Sequence, residues 1–201
     1  MRPASLALTS LVVAALATPA LADTTVYTSA ASFLPQVAAG YYSETFDGLS
    51  TLPPSFASGG FSYSISTVGG GYASGDYVGT SFPEQALTIS FTSGNVTAIG
   101  ANFFATNIGD EFLPLALTVS LSDGTVRSFT PASISDSFLG FVSSTPITSL
   151  TLSMSESNSP LFPYAALDNL TVGVSAVPEP ASAALLALGA TGLWLARRRK
   201  A

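Results

Sequence analysis

Residues 115–130 read LALTVSLSDGTVRSFT, and this stretch decides the fold class. Leu117, Val119 and Leu121 alternate with Thr118 and Ser120. An extended chain puts those three apolar side chains on one face and the hydroxyls on the other, whereas a helix would scatter them. The run stops at Ser122-Asp123-Gly124-Thr125, where Asp-Gly accepts the positive φ values of a tight primed hairpin turn. Strand-forming residues resume at Val126. The pattern predicts two antiparallel strands, 115–121 and 126–130, with one face buried and one wet.

The same period of two recurs on both sides. Over 86–92, Leu87, Ile89 and Phe91 oppose Thr88 and Ser90, and over 147–154, Leu150, Leu152 and Met154 repeat the pattern. Further strands are expected at 41–46, 61–65, 98–105, 138–142 and 165–172. Ser93-Gly94-Asn95 is a second turn, and Pro53-Pro54 marks a loop. The stretch 66–80, with Gly69-Gly70-Gly71 inside it, is too rich in glycine and polar residues to pack tightly and reads as one long loop. Before the strands, 28–39 reads as a short helix. Thr28 or Ser29 is its N-cap, Phe33, Leu34 and Val37 share one face, and Pro35 makes it irregular. Nine short strands with regular turns make 23–174 an all-β domain, an antiparallel β-sandwich.

The two ends carry a different kind of information. Residues 1–22 read as a secretory signal peptide: Arg2 supplies the charge, Leu6 to Ala17 the apolar segment, and Ala20-Leu21-Ala22 the small-x-small cleavage site. Residues 175–201 hold Pro178-Glu179-Pro180, an uncharged run from Ala181 to Ala196, and the basic cluster Arg197, Arg198, Arg199 and Lys200. Proline bars a helix before Ala181, so a single C-terminal transmembrane helix is expected to begin there. Its 16 residues would span roughly 24 Å, short of a hydrocarbon core of about 30 Å. Trp194 falls at headgroup level, and the basic cluster stays on the cytoplasmic side as a stop. A marginal helix with a strong stop suits a temporary anchor.

Val177-Pro178-Glu179-Pro180, the apolar run and the terminal basic cluster together resemble the PEP-CTERM sorting signal of Gram-negative bacteria. That module also carries the label ice-binding protein C-terminal domain, which is no evidence of ice binding here. The resemblance implies that the chain is the substrate of an exosortase, not an enzyme itself. It further implies export through the Sec machinery, a transient stay in the inner membrane, and delivery to the cell surface or an exopolysaccharide biofilm matrix. Glu44-Thr45-Phe46-Asp47, Phe138-Leu139-Gly140-Phe141 and Ala166-Leu167-Asp168-Asn169-Leu170-Thr171-Val172 make the body resemble jelly-roll and galactose-binding-like domains. In those folds an acidic residue of the first strand lies near an Asp of the last.

Composition removes whole classes of function. The 201 residues include no Cys and no His, so thiol and imidazole catalysis, disulfides and zinc sites built on those ligands are excluded. Between Asp23 and Ala176, eleven carboxylates face one basic residue, Arg127, a balance of −10. Nucleic acid is not a partner of such a surface. No Gly-x-Ser-x-Gly elbow is present, and no His or body Lys could activate a serine, so the expectation is a protein that is not an enzyme.

If first and last strands meet as the jelly-roll resemblance implies, Glu44, Asp47 and Asp168 converge as candidate Ca2+ ligands. Asp47-Gly48 and Asp168-Asn169 are also turn pairs that would bond their own backbone, and that reading takes precedence. Asp110 and Glu111 are expected to be solvated loop residues. Tyr41, Tyr42, Tyr63, Tyr72, Tyr77 and Phe82 offer faces for sugar rings, with half of the six expected in the core. Tyr72, Tyr77 and Phe82 are the better candidates, because loops carry binding function on rigid scaffolds. The leading reading is therefore an exported, non-catalytic envelope or matrix protein. Its alternative is a carbohydrate-binding module for exopolysaccharide, without a cofactor unless calcium supports it. Asn95-Val96-Thr97 and Asn169-Leu170-Thr171 match the N-glycosylation pattern by coincidence.

Overall fold

The computed structural model describes residues 23–155 and 158–176. The expected signal peptide, the Val177–Pro180 motif, the apolar run and the Arg197–Lys200 cluster lie outside the described residues. Among the described residues no helix is long and apolar enough to cross a membrane.

Among the described residues fourteen strands form two antiparallel sheets. In chain order they are β1 Thr24–Tyr27, β2 Tyr42–Glu44, β3 Phe56–Ser58, β4 Phe61–Thr67, β5 Gly71–Ala73, β6 Val78–Thr80 and β7 Leu87–Phe91. Then follow β8 Ala98–Thr106, β9 Phe112–Leu113, β10 Leu117–Leu121, β11 Val126–Phe129, β12 Phe138–Ser143, β13 Ser149–Met154 and β14 Tyr164–Gly173. The first sheet runs β1-β12-β8-β14-β6-β5, with β2 added beside β14 and β9 beside β8. The second runs β11-β10-β13-β7-β4-β3. All nine strands expected from the alternation are present.

One apolar core lies between the sheets. Leu87 and Ile89 of β7, Leu117 and Val119 of β10, and Leu150 and Leu152 of β13 meet Ile99 and Phe103 of β8, Phe141 of β12 and Leu167 of β14. Their alternating partners, Thr88, Thr118 and Thr151, lie partly exposed on the far face of the second sheet. Each fully buried aliphatic or aromatic side chain contributes about 1.5–3 kcal/mol, so this single layer dominates stability.

The hairpin that set the fold class closes differently from the tight primed turn expected. Leu121 N–H bonds Thr125 C=O, Gly124 N–H bonds Leu121 C=O, and only Gly124 has a positive φ, of 92°. The loop is therefore three residues with a left-handed glycine at its end, the next commonest hairpin geometry. Asp123 is thus free to act as a clamp. Its Oδ1 accepts from Thr125 N–H at 2.8 Å and its Oδ2 from the Thr24 hydroxyl at 2.5 Å, tying the second sheet to β1 of the first.

The expected helix over 28–39 is one helical turn, α1 Ala30–Phe33, followed by a 3-10 turn at Leu34–Gln36. The Ser29 hydroxyl caps α1 by accepting from Ser32 N–H at 3.2 Å. Phe33 is wholly buried on the outer face of the first sheet, over Gly100 and Gly140, which are cross-strand partners. A Cβ on Gly140 would stand 2.5 Å from the Phe33 ring and one on Gly100 2.7 Å, so this bare pair forms the socket.

The 66–80 loop expectation is corrected. β4 extends to Thr67, and β5 and β6 pair as a hairpin through Gly71↔Thr80 and Ala73↔Val78. β6 then pairs with β14 through Gly79↔Ala166. A Cβ on Gly79 would meet Ala165 C=O at 2.9 Å, so the glycine that weakened the strand signal is what lets this strand lie against β14.

The chain enters and leaves at one end of this framework. Asp23 N–H bonds the Ser144 hydroxyl at 3.1 Å, Thr97 N–H bonds Gly173 C=O at 3.1 Å, and Ala176 N–H bonds Gln36 C=O at 2.7 Å. The registers Thr24↔Ser143, Val142↔Ala98 and Ala98↔Gly173 carry that end across the sheet. β14 spans ten residues, roughly 30 Å, to the opposite end.

A candidate binding cleft at the far end

At that opposite end the β5–β6 hairpin and the loop between β8 and β9 enclose a cleft of about 170 Å3. The turn Ser74-Gly75-Asp76-Tyr77 builds one wall. The Ser74 hydroxyl accepts from Asp76 N–H at 3.1 Å and Tyr77 N–H at 3.0 Å, and Gly75 takes a φ of 102°. Tyr77 then lies on the outer face of the first sheet. Its ring meets Phe104 edge-on at 5.2 Å and Tyr72 at 6.2 Å, both contacts in the favoured aromatic range.

The opposing wall is the loop from Asn107 to Glu111. The Asn107 side-chain oxygen accepts from Gly109 N–H at 2.8 Å and Glu111 N–H at 3.0 Å, and its amide donates to Glu111 at 2.7 Å. This holds Asp110 at a φ of 62°, a left-handed conformation that Asp tolerates. Asp110 Oδ1 accepts from the Tyr77 hydroxyl at 2.6 Å and Oδ2 from the Tyr72 hydroxyl at 2.9 Å. Asp110 is thus more than the solvated loop residue expected: it joins the two walls. The bond to Asp110 raises the Tyr72 pKa, and for Tyr77 burial raises it first, with Asp110 adding to it. Both phenols stay protonated at any physiological pH. Thr80 also lines the cleft, and its buried hydroxyl has no hydrogen-bond partner.

The other singled-out aromatics are placed elsewhere. Tyr63 is fully buried and stacks on Phe56 at 4.9 Å. Tyr42 lies against it at 6.1 Å, and Tyr41 packs over Gly173. Phe82 is 54% exposed, with its ring over Gly69.

The strands bearing Glu44 and Asp168 do meet, and Asp47 lies in the turn beyond β2. β2 pairs with β14 through Leu170↔Glu44 and Val172↔Tyr42. Each carboxylate nevertheless has its own hydrogen-bond partners. Glu44 turns to the core edge, where it accepts from the Tyr42 hydroxyl and from Phe46 N–H. Burial, with Glu44 adding to it, pushes the Tyr42 hydroxyl up to about 12. Asp47 accepts from the Thr45 hydroxyl at 2.8 Å. Asp168 accepts from Asn169 N–H at 2.6 Å and the Asn169 amide at 2.9 Å, beside a β-bulge where Asn169 has a φ of 54°. Burial, and then the charges of Asp47 and Asp76, push Asp168 up to about 6 against the pull of its Asn169 bond. Among the described residues no three carboxylates are grouped so as to hold a metal ion.

A PEP-CTERM protein-sorting motif is found at residues 176–200. It marks the chain as an exported protein directed to the cell envelope through the membrane, with exosortase as its processing partner. No curated protein matches the chain.

Proposed function

We propose that the chain is a non-catalytic component of the cell surface or extracellular matrix of a Gram-negative bacterium. The sorting motif at 176–200 carries this reading. Residues 1–22 direct Sec export and are removed. The apolar run with Arg197, Arg198, Arg199 and Lys200 halts the chain in the inner membrane, and exosortase acts around Val177-Pro178-Glu179-Pro180. The non-catalytic part of the reading rests on composition: the sequence has no His, and the body has no Lys, to activate a serine. The test replaces Pro178-Glu179-Pro180 with three alanines. Membrane insertion should persist while an unprocessed form accumulates. Mass analysis of the C-terminal peptide from surface protein decides the matter. Intact chains ending at Ala201 on the surface, in cells with active exosortase, would leave a plain tail anchor in its place.

A second reading is that the body is a jelly-roll-like β-sandwich serving as a carbohydrate-binding module for exopolysaccharide. The pairing of β2 with β14 supports the fold, and the Tyr72–Tyr77–Asp110 cleft supports the activity.

A further inference from the structure

The cleft narrows the chemistry of what it can hold. Both phenol protons are directed at Asp110, one to each oxygen. A carboxylate has about four acceptor sites, so what remains open on Asp110 is acceptor capacity, and a ligand must bring donors to it. Among the described residues the carboxylate has no basic neighbour. Arg127, the one basic side chain among the described residues, stands on β11 at the edge of the other sheet. With a body balance of −10, an anionic ligand is repelled and a cationic one attracted. The Tyr72 ring, 38% exposed, and Ile108, 85% exposed, give the cleft an apolar side, while Thr80, Ser81 and Thr106 give it hydroxyls. Its volume is below the roughly 300–1,000 Å3 of sites that enclose drug-sized ligands, so it suits one small ring.

We propose that this cleft binds a single saccharide residue that donates hydrogen bonds to Asp110, with a protonated amino sugar preferred to a neutral sugar and an acidic sugar refused. The proposal rests on the carbohydrate-binding reading and deepens it. An ammonium group would take the open acceptor sites of Asp110 with a charge-assisted bond and lie near the faces of Tyr72 and Tyr77, where a cation is also attracted. The Thr80 hydroxyl is available to a ring hydroxyl if the cleft relaxes around it.

The experiment titrates the full chain, in detergent at low salt, with glucosamine oligomers, N-acetylglucosamine oligomers and galacturonate oligomers. Glucosamine oligomers should bind about tenfold more tightly than the N-acetylated ones, and galacturonate should not bind. Added salt should erode the preference. Asp110→Asn keeps a residue tolerant of the left-handed backbone and should bring the affinities for the cationic and N-acetylated oligomers together. Asp136→Asn removes the same charge from a loop that does not line the cleft and should leave the preference intact; an equal loss there would overturn the proposal in favour of diffuse attraction. Tyr72→Ala should weaken both sugars. If sugars bind but neither Asp110→Asn nor Tyr72→Ala matters, the site is wrong and the module reading survives. If no oligomer binds at all, both fall.

Discussion

The outer face of the first sheet is covered at both ends by an aromatic ring, and the two covers are built on opposite principles. Near the end where the chain enters and leaves, Phe33 drops into the Gly100–Gly140 socket and is wholly buried, with Val37, Ala98 and Phe138 around it. At the far end Tyr77 lies on Phe104 and Ala166, but its hydroxyl must be satisfied, and Asp110 does this from the rim of an open cleft. A phenyl ring asks for nothing polar and can be sealed in. A phenol held by a carboxylate stays near water, because sealing the charge would cost far more than the bond returns. One cover is closed packing, and the other leaves a carboxylate within reach of water.

Three substitutions sharpen or break that contrast. The largest effect is expected from Phe33→Ala, which empties a socket whose floor has no side chains to collapse into it. Urea denaturation should show a loss of about 3–5 kcal/mol, and a loss near zero would mean that the socket contributes little to stability. Asp123→Ala is next, at about 1–2 kcal/mol near neutral pH, because it cuts the clamp to Thr24 and Thr125. Burial works to raise the Asp123 pKa, but the bonds from Thr24, Thr125 and Ser143 outweigh it and the net shift is downward. Its contribution is therefore present above the usual carboxylate range and lost as pH falls through the lowered value, so wild type and variant should converge in acid.

Asp168→Asn should act with the opposite sign and the smallest size. The folded chain holds this proton up to about pH 6 and the unfolded chain releases it near 3.8, so wild-type stability falls as pH rises between those values. With solvent screening of a partly exposed group, the variant should gain on the order of 1 kcal/mol at pH 8 and lose that part of the slope. Melting curves from pH 4 to 8 that are parallel for the two proteins would remove Asp168 from the account.

Where the alternation was strong, the strands were readable. Leu87, Ile89 and Phe91, or Leu117, Val119 and Leu121, need only a period of two and a core to face. The β5–β6 hairpin was not, because its strands are three residues each and Gly79 is there for the approach of β14, a tertiary fact. β1 was missed for a related reason, since four residues paired only with β12 carry too little pattern of their own. In the cleft, Tyr72 and Tyr77 stood out as aromatics amid glycines. Asp110 did not, because its partners lie 38 and 33 positions earlier and only the fold brings them to it. Gly109-Asp110 signals a turn, and nothing in it points to a phenol. Glu44 and Asp168 show the converse: strands that meet as the resemblance implied, carrying carboxylates that face different neighbours.

β14 has a mechanical consequence. It runs from the cleft end to the exit at Gly173, joined to β8 on one side over Tyr164–Asp168 and Thr171–Gly173 and to β6 and then β2 on the other. Load passed between a ligand held in the cleft and a tether attached past Ala176 would be directed along this strand. Its inter-strand hydrogen bonds lie across that direction and would be sheared together, so that many must break at once, where a strand peeled from its end gives them up one at a time.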